Sequence, residues 1–100
     1  MKDYILFMHS DADDKETAAS ANLWEAYIVA LRQSGGFEGG SSLADGLLMK
    51  KDADAVAVSG GINGFLRVKA AGLAELSRLL SGNPIFEAGG TIEVHELLED

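Results

Sequence analysis

Two histidines, His9 and His95, and the carboxylate Glu93 are the residues of this 100-residue chain whose chemistry suits proton transfer. An imidazole within reach of a carboxylate has its charged form favoured and titrates near working pH, as a general acid or base must. His9 follows the apolar run Tyr4-Ile5-Leu6-Phe7-Met8 and shares the parity of Ile5 and Phe7, while Glu93 lies in the alternating segment Thr91 to Leu97. If these strands pair antiparallel, the end of the first lies near Asn63, Phe65 and Glu93, which makes His9 and Glu93 the candidate catalytic pair. The plainer reading leaves His9 at the surface, bonded to water or to Ser10. Arg67, Lys69, His95 and Asn63 form a candidate ligand-binding set, because an arginine grips a carboxylate or phosphate bidentately. The alternative is that Arg67 and Lys69 pair with Glu93, Glu96 or a second subunit. On this register His95 falls at the opposite end of the sheet from His9, near Lys2 and Tyr4, so two half-sites are expected.

Three other groups of residues invite chemical readings that weaken on inspection. Asp11, Asp13 and Asp14 lack the glycine and closing glutamate of a calcium loop and read instead as helix-capping groups. Gly60-Gly61-Ile62-Asn63-Gly64 precedes a strand, whereas phosphate loops feed a helix N-terminus. It reads as a hairpin turn. Trp24 and Tyr27 sit on an apolar helical stripe and read as core rather than as a stacking platform. Two histidines without cysteine give no expectation of a metal site.

The elements that must hold these residues are legible from periodicity. Tyr4 to Met8 is apolar at both parities, the mark of a strand buried on both faces. Trp24, Tyr27, Ile28 and Leu31 define one helix from Glu16 to Ser34. Phe37 to Leu43 and Gly46 to Lys51 read as short extended pieces, with Asp45-Gly46 as a tight turn between them. Phe65 to Ala70 alternates with period two, and Leu73, Leu76, Leu79 and Leu80 mark a second helix that ends before Pro84. A last strand covers Thr91 to Leu97. The order βαββαβ specifies an α+β, ferredoxin-like fold over residues 1–100 as a single domain. Two helices cover one face of a four-stranded antiparallel sheet whose first and third strands are central.

Sixteen acids against eight bases give a net charge of −8, which disfavours nucleic acid and anionic membrane surfaces as partners. The chain has no cysteine and no apolar stretch near the ~20 residues of a membrane span, so a cytoplasmic protein is expected. A domain this small encloses little, and Ile5, Phe7 and Phe65 on the uncovered sheet face point to a homodimer.

With its elements in this order, the chain resembles the YciI-like (YCII-related, DGPF-containing) proteins of the dimeric α+β barrel group. The resemblance rests on Lys2 to Met8, on Trp24-Glu25-Ala26-Tyr27 and on Gly36-Phe37-Glu38-Gly39-Gly40-Ser41-Ser42-Leu43. It continues through Gly64-Phe65-Leu66-Arg67-Val68-Lys69-Ala70 and Gly90-Thr91-Ile92-Glu93-Val94-His95. It implies two sheets facing one another in a dimer. The family's histidine–aspartate pair is not carried over. The first helix has no histidine, and Val58 to Gly64 holds neither the aspartate nor the proline of the DGPF motif. Three functions stay open: a cofactor-independent small-molecule enzyme using His9, a non-catalytic binder of an anionic metabolite through Arg67, Lys69 and His95, and a dimeric interaction module.

Overall fold

The computed structural model describes residues 1–99. Its elements are β1 (Lys2–His9), α1 (Lys15–Ala18), α2 (Ala21–Gln33), β2 (Phe37–Ser42), β3 (Leu47–Leu48), β4 (Val56–Ala57), β5 (Ile62–Ala70), α3 (Leu73–Leu80), α4 (Pro84–Glu87) and β6 (Ile92–Leu97). The main sheet is antiparallel with order β2-β5-β1-β6, so β1 and β5 are central and β6 lies beside β1. This is the ferredoxin-like arrangement the periodicity specifies.

Period-two alternation decides which face each strand residue serves. Tyr4, Leu6 and Met8 of β1 and Leu66, Val68 and Ala70 of β5 point into the core, against Tyr27 and Leu31 of α2, Leu76 of α3 and Ile85 of α4. Ile5, Phe7 and Phe65 take the opposite face and stay half-buried. The Cα envelope measures 46 × 39 × 18 Å, so the thin axis holds one sheet and one helical layer, and among the described residues no second layer covers that face.

Four local expectations are corrected. The single helix from Glu16 to Ser34 is two helices: Asp14 caps α1 through the Thr17 amide (3.1 Å), and Ser20 starts α2 afresh by accepting from the Leu23 amide (3.3 Å). Asp45-Gly46 does not turn the chain. It leads into the β3–β4 hairpin, whose reversal falls at Lys50 to Ala53 with Asp52 at φ 62°. Asn63 and Gly64 lie inside β5 rather than in a turn, and a Cβ at Gly64 would sit tightly against Met8 Cε and the Ser41 carbonyl oxygen, each at 3.1 Å. Leu73 is exposed at the start of α3, outside the core stripe, and Pro84 opens α4 under the Asn83 cap.

Candidate functional site

The register of β1 against β6 sets Phe7 opposite Glu93 and Ile5 opposite His95, with a bulge at Met8/His9 re-aiming the end of β1. Glu93 therefore lies midway between the two histidines on the open face. His9 Nε2 is 2.8 Å from one carboxylate oxygen of Glu93, and His95 Nε2 is 2.6 Å from the other. The Phe7 ring meets His95 edge-on, with centroids 6.1 Å apart. The expectation of two half-sites is thus corrected: His9 and His95 share one carboxylate.

Hydrogen bonds from His95 and then from His9 hold the Glu93 carboxyl below the ordinary value of 4.5. It is ionised at neutral pH, and an ionised carboxylate only accepts. Both imidazoles must then carry a proton on Nε2, an assignment that follows from the bonding pattern. In the neutral ring, the nitrogen left with a lone pair is Nδ1.

His9 also lines a cleft of about 1060 Å³ between the end of β1 and the stem of the β3–β4 hairpin, bounded by Ser10, Asp11, Leu43, Val58 and Asn63. The cleft's edge is pinned by Asp11, which accepts from the Thr91 amide (2.8 Å) and the Thr91 hydroxyl (2.6 Å). Those two bonds lower the Asp11 carboxyl below 3.8. Of the three aspartates read as helix caps, only Asp14 caps a helix. Asp11 instead ties the start of β6 to the end of β1. Among the described residues, no group of three or more His, Cys, Asp or Glu is arranged to hold a metal ion.

The cations divide. Lys69 pairs with Asp3 (3.5 Å) and Glu38 (3.7 Å), and Glu96 pairs with Lys2 (3.6 Å), so neither Glu93 nor Glu96 neutralises the bases of β5 as the internal-pairing alternative supposed. Arg67 shares a cross-strand row with Ile5 and His95, is exposed, and has no carboxylate within 4.0 Å among the described residues. His95, in the same row as Arg67, bonds to Glu93.

Periodicity did not foresee a second cavity, of about 550 Å³, on the helix-covered side between α2 and β2. Trp24, Ile28 and Arg32 line it from the helix, and Phe37, Gly40 and Gly64 from the sheet. Tyr27 is core as expected, its hydroxyl donating to the Leu79 carbonyl (2.7 Å). Trp24 is only partly core, with its indole N–H on the Ala18 carbonyl (2.8 Å).

No protein-family model matches the chain. No curated protein matches it either. Among solved structures, the chain is similar to 5-chloro-2-hydroxyhydroquinone dehydrochlorinase (TftG) from Burkholderia phenoliruptrix AC1100, solved in complex with 2,5-dihydroxybenzoquinone. The TM-score is 0.58 at 14% identity, covering 98% of this chain and 95% of that one. The likeness establishes a shared fold. Among the described residues, no helix is long and apolar enough to cross a membrane.

Proposed function

We propose that this chain is a small-molecule enzyme of the YciI-like type, a homodimeric α+β barrel that moves a proton through His9 without a cofactor. The observation that carries the reading is one ionised carboxylate shared by two imidazoles, one of which lines a cleft. Neutral His9, protonated on Nε2 and bonded to Glu93, accepts a proton on Nδ1 from an acidic O–H or C–H of the substrate. Glu93 then faces an imidazolium, whose charge it stabilises, and the proton returns to the product. The solved neighbour is named for a hydroxylated aromatic substrate. A compound of that class, with a hydroxyl or enol acidic enough for imidazole, suits the half-buried Phe7 and Phe65 beside the cluster.

The test follows deuterium exchange from solvent into a panel of small hydroxyarenes and 1,3-dicarbonyl compounds by proton NMR. At least one compound should exchange faster with the protein, and His9→Gln should lower that acceleration about 10²- to 10⁴-fold. Exchange that survives in His9→Gln overturns the assignment, as does a panel in which nothing is accelerated. Arg67, with no carboxylate within 4.0 Å among the described residues and in one cross-strand row with His95, favours a second reading, in which an anionic metabolite binds at Arg67, Lys69 and His95 without reaction. Arg67→Ala would then abolish thermal stabilisation by that anion while His9→Gln would not.

A further inference from the structure

We propose that the cavity between α2 and β2 is a binding site for a small carboxylate with a short or flat apolar body. It lies on the helix-covered side of the sheet, so the proposal does not depend on the role of His9. The cavity opens to solvent on the β2 side, where Arg32, Ser41 and Ser42 line its mouth. A space of about 550 Å³ falls within the range of small-molecule sites.

Its walls follow from the way α2 docks. Tyr27 and Leu31 are buried and seat the helix on the sheet, which turns the adjacent stripe Trp24, Ile28 and Arg32, at i, i+4 and i+8, toward the β2 edge. Opposite that stripe the sheet offers Phe37 and two glycines. A Cβ at Gly40 would come within 2.4 Å of the Phe65 carbonyl oxygen, and one at Gly64 within 3.1 Å of Met8 Cε and the Ser41 carbonyl oxygen. Gly40 accepts no side chain that could fill the space, and Gly64 leaves only tight room for one. Met8 and Leu66 complete an apolar interior.

The charge at the cavity selects the ligand class. Arg32 lines it with its guanidinium 5.7 Å from the Phe37 ring centroid, a stacking that orients the fork. Among the described residues no carboxylate lies within 4.0 Å of Arg32, although the chain carries twice as many acids as bases. Arg32 is exposed at the cavity's mouth, where its free fork can meet the carboxylate of a ligand whose apolar body lies inside.

Trp24 is the sole tryptophan and lines the cavity, so its emission reports occupancy. The full chain is titrated with benzoate and hexanoate, and with benzyl alcohol and hexanol as uncharged partners. The carboxylates should change the emission saturably, in the millimolar range that ligands of about nine heavy atoms reach. They should bind at least about tenfold more tightly than the alcohols. Arg32→Gln should erase that preference, Arg32→Lys should keep part of it, and Ile28→Phe, which fills the cavity, should suppress the response to both classes. Far-UV circular dichroism confirms that each variant is folded. The proposal is overturned by the absence of any saturable change with the carboxylates, by equal affinity for carboxylate and alcohol, or by an unaltered preference in Arg32→Gln.

Discussion

The shared carboxylate makes a prediction about protons that the heavy-atom positions alone do not state. Neutral imidazole in water divides between two tautomers, and a ring whose Nε2 faces an ionised carboxylate must place its proton there. The His9 side chain is 33% exposed and lies 2.8 Å from Glu93; a charge-assisted bond at such a partly wet site favours Nε2–H by about tenfold. His95 is 57% exposed, and water competes more strongly for its proton, so its excess should be smaller. Glu93→Gln sharpens the expectation. A glutamine amide has one accepting oxygen and one donating nitrogen, so it serves one ring as acceptor and presents N–H groups to the other. One histidine should keep Nε2–H while the other changes to Nδ1–H. Long-range proton–nitrogen correlation spectra at pH 9, well above the ordinary imidazole value of about 6.5, distinguish the tautomers of neutral rings. Two rings with mixed tautomers in the wild type, or spectra unchanged in Glu93→Gln, would refute the reasoning.

Two further predictions concern the scaffold and its assembly. Tyr27→Phe leaves the Leu79 carbonyl without its 2.7 Å donor in the core and should cost about 1–3 kcal/mol, read as a melting temperature lower by about 4–8 °C per kcal/mol. Burial pushes the Tyr27 hydroxyl above 10.0. Its contribution is therefore complete below that value and lost as pH rises through the folded value, and the variant's alkaline melting limb should be flatter. A variant as stable as the wild type would show that the hydroxyl bond contributes nothing. Sedimentation at micromolar concentration should give twice the 10.5 kDa chain mass for the wild type and a single-chain mass for Ile5→Asp, which charges the uncovered face. A monomeric wild type, or a dimeric Ile5→Asp, removes the sheet-face dimer.

What the sequence revealed of the fold follows from where periodicity is strong. Phe65 to Ala70 alternates clearly enough to assign Leu66-Val68-Ala70 to the core, whereas β1 is apolar at both parities, and only the placement of the helices shows Tyr4-Leu6-Met8 as its buried row. The β3–β4 hairpin escaped because its strands have two residues each, too few for any period to show. The break between α1 and α2 escaped because Ala19-Ser20 contains neither proline nor glycine. The Ser20 cap on the Leu23 amide and the Trp24 indole reaching back to the Ala18 carbonyl mark the place where the chain re-enters a helix.

The site shows a different limit. Pairing His95 with Ile5 sets it four residues from His9 along β1, about 13 Å of strand, which is why the two histidines read as separate half-sites. Glu93 stands two residues from each, about 6.6 Å, a gap that a glutamate and a histidine side chain span together. Strand parity carried the face but not the reach. The α2–β2 cavity lay further beyond sequence reading, because it is made partly of side chains that Gly40 and Gly64 lack.

The same exposures tie the proposed chemistry to the proposed assembly. With Glu93 39% exposed between its two imidazoles, water screens the attraction between carboxylate and imidazole. A second copy laid over Ile5, Phe7 and Phe65 would remove that water from the neighbouring row, where Glu93 pairs across from Phe7. The carboxylate's hold on the His9 proton would tighten for the same geometry. On this argument Ile5→Asp should do more than dissociate the dimer. It should also reduce the Nε2–H excess of His9 toward that of a free ring, although Ile5 touches neither the carboxylate nor the proton. A monomeric Ile5→Asp that keeps the full excess would show that the cluster works in one subunit alone.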